Sequence, residues 1–142
     1  MDKPVFNPDL VAVHVVTTYL PGHSRPEEDQ YTFAYTITIS NAGDVPVQLL
    51  SRHWLITDAE DEVQEVRGEG VVGEQPVIAP GGSFRYTSGA NLATPVGCMQ
   101  GSYFMAACDP DDGAAPVAAA PDAPTFEVPI PAFSLHTPTA LH

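Results

Sequence analysis

The chain has 142 residues, enough for one domain with a core of its own and no need of disulfide or metal staples. Its formal net charge of −13 comes from 18 acids against five Lys and Arg, which excludes the basic footprint of a nucleic-acid binder and disfavours docking on anionic lipid. Fifteen prolines and 11 glycines imply many turns and few long helices; no apolar run approaches the ~18–20 residues of a membrane span, and Met1-Asp2-Lys3-Pro4 lacks the features of a signal peptide, so a cytoplasmic protein is expected.

The predicted elements are strands. After an N-terminal arm over residues 1–9, Leu10 to Tyr19 alternates, with Val11, Val13, Val15 and Thr17 on one face. Pro21 to Gln30 reads as a polar loop. Tyr31 to Ser40 gives the cleanest period of two, with Tyr31, Phe33, Tyr35, Ile37 and Ile39 inward and Thr32, Ala34, Thr36, Thr38 and Ser40 outward. Asn41-Ala42-Gly43-Asp44 is a turn.

A third strand runs from about Val47 to Thr57, with Leu50, Trp54 and Ile56 on the expected core face and His53 on the other. Asp58 to Asp61 makes a hairpin into Glu62–Arg67. Ser83 to Ser88 and Cys98 to Cys108 are further strands. In the second of these, Met99, Gly101, Tyr103 and Met105 alternate with Gln100, Ser102 and Phe104. Cys98 and Cys108 lie roughly 33 Å apart if that segment is extended, so both are expected as free thiols. Residues 109–124 form an Ala/Pro-rich segment without apolar periodicity, expected as a mobile loop. Thr125 to Ile130 is a last strand, and Pro129 and Pro131 place it at a sheet edge or mark its end.

About seven short strands with regular turn signals and no helix predict an all-β protein, a β-sandwich of antiparallel strands of the immunoglobulin-like type, with a small β-barrel as the alternative. The whole chain, 1–142, reads as a single domain.

Gly68, Gly70 and Gly73 form a G-x-G-x-x-G string, the spacing of a dinucleotide fingerprint. Its context is wrong for that chemistry. Pro76 and Pro80 follow, with β-branched residues between, so no helix can present its N-terminus to a pyrophosphate. No Asp or Glu occurs between Glu74 and Asp109 to meet a ribose. The glycines are expected in tight turns or bulges, where positive φ is needed. A weak anion site remains as an expectation, built on the amides of Gly68, Gly70 and Gly73 with Arg52, for phosphate, pyrophosphate or a nucleotide. Arg52 shares the period of Leu50, Trp54 and Ile56. Its head is expected to reach water from the core rim, with a buried carboxylate or a stack on Trp54 as alternatives.

The acidic turns supply oxygen ligands that suit Mg²⁺, with Asp58, Asp61, Asp109 and Asp111 as candidate ligands. None matches an EF-hand, and the five histidines have no ligand spacing. No nucleophile motif marks a catalytic set, so no enzymatic activity and no cofactor beyond a divalent cation are expected.

The run Gly70-Val71-Val72-Gly73-Glu74-Gln75-Pro76, then Pro80-Gly81, Phe84 and Tyr86-Thr87-Ser88-Gly89, resembles the signature of the bacterial ApaG proteins. So do Leu92, Thr94-Pro95, Gly97, Met99, Gly101-Ser102-Tyr103 and Met105, with Leu49 to Trp54 upstream and Phe126, Ile130-Pro131 and Phe133 downstream. The resemblance implies a fibronectin type III-like sandwich and a genetic link to cobalt resistance and magnesium efflux, which adds Co²⁺ to Mg²⁺ as an expected ligand of the acidic turns. It also implies a protein-interaction role, since related eukaryotic domains occur in F-box proteins and in a DNA-polymerase-interacting protein. The segment from Pro110 to Pro124 is longer than the short turn usual in that family. The expected partner is a protein, with no nucleic acid and no membrane.

Overall fold

The structure, a computed structural model, describes residues 8–108 and 125–138. Residues 1–7 of the expected arm and the whole expected loop over 109–124 lie outside the described residues. Eight strands follow a short 3-10 turn at Pro8–Leu10: β1 (Val11–Tyr19), β2 (Tyr31–Asn41), β3 (Val47–Asp58), β4 (Val63–Glu69), β5 (Val77–Ile78), β6 (Ser83–Leu92), β7 (Val96–Ala107) and β8 (Thr125–His136). The two-residue β5 is the strand that the sequence pattern does not show. Two further 3-10 turns, at Pro21–His23 and Pro26–Glu28, fill the loop between β1 and β2. No helix among the described residues is long and apolar enough to cross a membrane.

The strands form two antiparallel sheets, β1-β2-β6 and β4-β3-β7-β8, with β5 also paired to β3. This is the expected immunoglobulin-like sandwich, three strands facing four plus a short fifth. The alternation of β2 is realised as read: Phe33, Tyr35, Ile37 and Ile39 are buried and their neighbours half-exposed. They meet Leu49, Trp54 and Ile56 of β3, Met99, Tyr103 and Met105 of β7, and Val128, Ile130 and Leu135 of β8. Trp54 sits at the centre, edge-on to Tyr35 at 5.4 Å, Phe133 at 5.9 Å and Tyr103 at 6.3 Å, a geometry that the ring quadrupoles favour.

The expected turn at Asn41–Asp44 is held by a buried side chain. Asn41 Nδ2 donates to the carbonyls of Val45 (2.8 Å) and Ile78 (3.1 Å), while its Oδ1 accepts from the Gly43 amide. Its polar atoms are thereby satisfied in a residue with 1% exposure.

Three expectations are corrected. Leu50 does not share the core face with Trp54. A bulge sits between Leu49 and Ser51, and the extra residue shifts the phase, so Leu49 is buried and Leu50 half-exposed. The last strand does not stop at Ile130; it continues to His136. Pro129 and Pro131 are tolerated because β8 is the edge of its sheet and its register shifts opposite Met99–Gly101. β6 runs past Ser88 to Leu92, carried by pairing with β2 as far as Tyr31. Both cysteines are reduced thiols, as expected, Cys98 half-buried and Cys108 buried.

Candidate interaction face

The outer face of the larger sheet is built from residues in the solvent phase of four strands. Register places Glu69 beside Ser51, Ser51 beside Phe104, and Phe104 beside Glu127, so that these four make one row across β4, β3, β7 and β8. The next row is Arg67, His53, Ser102 and Pro129. Phe104 is 44% exposed, an aromatic ring where alternation predicts a polar residue. The rows border a shallow groove of about 490 Å³, whose lining also includes Arg52 and Gly68.

Polar groups in this groove are partly paired. His53 Nε2 and Glu65 Oε2 lie 3.0 Å apart, and Arg67 Nε is 3.4 Å from Glu65 Oε1. The His53 hydrogen bond, followed by the contacts to Arg67, holds the Glu65 carboxyl below its usual range. Ser102 Oγ donates to Glu127 Oε2 at 3.1 Å. Glu69 and Glu127 form no ion pair among the described residues.

Behind the groove, Arg52 and Gly68 are cross-strand partners. The guanidinium lies over Gly68, and Nη1 donates to the carbonyls of Gly70 (2.7 Å) and Glu69 (3.1 Å). The head therefore sits at the half-exposed rim, as expected, with backbone carbonyls as its partners and neither a buried carboxylate nor the Trp54 ring. Two core phenols, Tyr86 and Tyr103, bond each other through their hydroxyls across the sandwich. Burial pushes both phenols well above their usual range; the bond from Tyr103 offsets this in part at Tyr86, and the Arg52 charge offsets it least.

The glycine string splits into distinct roles. Gly68 is an ordinary strand residue whose missing Cβ makes room for Arg52. Gly70 (φ 62°) and Gly73 (φ 81°) adopt the left-handed region and shape a hairpin whose tip is Val72-Gly73. Val71 and Glu74 exchange backbone hydrogen bonds at 2.8 and 2.9 Å, and the Gly70 amide donates to Leu50 O. The amides of Gly70, Val71 and Glu74 therefore point at protein carbonyls. Val72 shares the positive φ (44°), which is strained for a β-branched residue, and its side chain is exposed. The structure thus brings Arg52, Gly68 and Gly70 together and leaves Gly73 at the tip.

Asp58 and Asp61 lie in the β3–β4 hairpin. Asp58 Oδ1 accepts the amides of Glu60 (2.8 Å) and Glu62 (3.0 Å), and Asp61 occupies a left-handed position (φ 64°) that aspartate tolerates. Asp109 and Asp111 lie outside the described residues. Among the described residues no three His, Cys, Asp or Glu side chains converge as a metal site. A second concavity, about 540 Å³, opens where β2 begins and β8 finishes, lined by Tyr19, Tyr31 and four prolines.

Phe104, Ser102 and Glu127 were not among the residues that the sequence singles out as a site. The signal for Phe104 was its phase, since an aromatic ring stands in line with Gln100 and Ser102. Its neighbour Glu127 is brought alongside only by β7–β8 pairing across the intervening segment.

An all-β sandwich with a mixed aromatic and charged outer face is the class that fold and site define. Comparison with known proteins makes it particular. Residues 21–107 match the family model of the ApaG domain. The chain is 55% identical to Protein ApaG of Ralstonia nicotianae over 132 residues, covering 93% of this chain and 96% of that protein. It is 54% identical to Protein ApaG of Pseudomonas aeruginosa, covering 93% and 94%. The crystal structure described as the putative ApaA protein from Bordetella pertussis superimposes with a TM-score of 0.79 at 46% identity, covering 92% of this chain and 95% of that one. The chain belongs to the ApaG family.

Proposed function

We propose that this chain is a non-catalytic interaction module of the cytoplasm, which binds a protein partner through the outer face of its larger sheet. The observation that carries the reading is the exposed Phe104, set in an open groove among Ser51, His53, Ser102 and Glu127. Aromatic residues at the centre of a partly polar face are characteristic of protein-binding surfaces, whereas small-molecule sites are mostly enclosed and apolar. The groups near the groove are engaged in pairs that hold the surface in shape: His53 and Arg67 with Glu65, and Ser102 with Glu127. A connection to cobalt resistance and magnesium efflux, implied by the family, then runs through the partner.

The test is affinity capture from native lysate with the full chain, followed by reconstitution with the purified candidate. The reading predicts a defined 1:1 or symmetric complex whose formation is lost with Phe104→Ala. Recovery of no reproducible partner, or a complex indifferent to every residue of this face, would overturn it.

A further inference from the structure

The row Glu69–Ser51–Phe104–Glu127 points to the chemistry of the partner. Neighbouring strands lie about 4.8 Å apart, so Glu127 stands one strand from Phe104 and Glu69 two strands away on the other side. The two carboxylates bracket the exposed ring across roughly 14 Å, three strand spacings. The cations of the adjacent row are occupied differently: His53 and Arg67 both face Glu65. Arg52, the third cation on the groove, is taken up by the Gly70 and Glu69 backbone carbonyls, so among the described residues the Glu69 and Glu127 carboxylates form no ion pair on either side of the open aromatic face.

We infer that this row is a docking site for a basic segment of a protein partner, with an arginine stacked on Phe104 and held by Glu127, and a second cation reaching Glu69. A guanidinium over an aromatic ring gains from the ring quadrupole, and a carboxylate at the ring's flank adds a charge-assisted hydrogen bond. Ser102 already donates to one Glu127 oxygen and so orients the carboxylate. The field of a chain with net charge −13 steers basic segments toward the site and repels acidic ones. This inference rests on the interaction-module reading and specifies its partner.

The experiment is an NMR titration of the isotope-labelled full chain with a flexible Gly/Ser peptide carrying three arginines at every third position, and with its citrulline counterpart. The arginine peptide should shift the amides of Ser51, Ser102, Phe104 and Glu127 saturably, weakening as salt rises. The uncharged citrulline peptide should leave them in place. Phe104→Ala and Glu127→Gln should each weaken binding about tenfold or more, while Phe104→Tyr, which keeps a ring face, should retain it. Phe104→Leu separates ring chemistry from loss of apolar area and should also fail to bind. Shifts scattered over all acidic surfaces, or affinity unchanged in Phe104→Ala, would overturn the inference as non-specific charge attraction. If a captured partner still needs Phe104 but the arginine peptide does not bind, this inference falls and the module reading stands. If the arginine peptide binds but no partner is captured, the module reading falls and the cation site stands.

Discussion

Gly68→Ala places a methyl group where the Arg52 guanidinium lies. A Cβ built on Gly68 stands 2.8 Å from Arg52 Cζ and from both terminal nitrogens. An ordinary contact of ~3.5–4.0 Å requires the head to lift by roughly 0.7–1.2 Å. That shift lengthens and misaligns the two Nη1 bonds, at 2.7 and 3.1 Å, and so weakens them. A hydrogen bond from a charged donor contributes about 1.5–3 kcal/mol, and water replaces part of it at this half-exposed position. The expected cost is therefore about 1–2 kcal/mol, and Tm should fall by about 3–8 °C for a chain of this size. In an Arg52→Ala background the space is open and Gly68→Ala should cost nothing, or stabilise slightly by restricting the unfolded chain. Urea unfolding of the four proteins in the cycle gives the coupling directly. An equal cost in both backgrounds would refute the latch between Arg52 and Gly68.

Val72→Asn should raise stability by about 1 kcal/mol, because asparagine tolerates the left-handed backbone that strains valine and little buried area is lost; a lower Tm would show that the apolar tip contributes to the fold. Tyr86 and Tyr103 keep their protons in the folded state at pH values where unfolded tyrosines, near 10, lose theirs. Raised folded values mean that their contribution is whole below pH 10 and is lost above it, by about 1.4 kcal/mol per pH unit for each phenol, and Tyr103→Phe should shallow that alkaline slope in urea titrations. Asp58→Ala should cost about 1 kcal/mol by freeing two amides, equally in EDTA and in millimolar Mg²⁺; stabilisation of the unmutated chain alone by Mg²⁺ would instead establish a metal at this turn.

Most of the fold was legible because β2 and β7 each bury one face, and a period of two then fixes which residues go inward. The phase of β3 after Leu49 was not legible, since a bulge inserts one residue with no mark in the composition and moves the core face from Leu50 to Leu49. Pro129 and Pro131 suggested an edge or an end; the structure shows an edge that runs on, because the proline lacks a donor only where none is needed. The glycine string showed turns, and Gly70 and Gly73 make one. The role of Gly68 depended on Arg52 from another strand, a contact that register alone creates. The Phe104 row was hidden for the same reason: its four members lie on four strands, and only long-range pairing sets them side by side.

The most direct measurement on the central claim is a salt-dependent titration of the arginine peptide, read in parallel on the unmutated chain and on Phe104→Ala. The account predicts saturable shifts confined to the outer face of the larger sheet in the first and their loss in the second. Equal binding by both proteins, or shifts that appear instead at Gly68–Gly73 with pyrophosphate while the arginine peptide leaves the sheet unmoved, would contradict it.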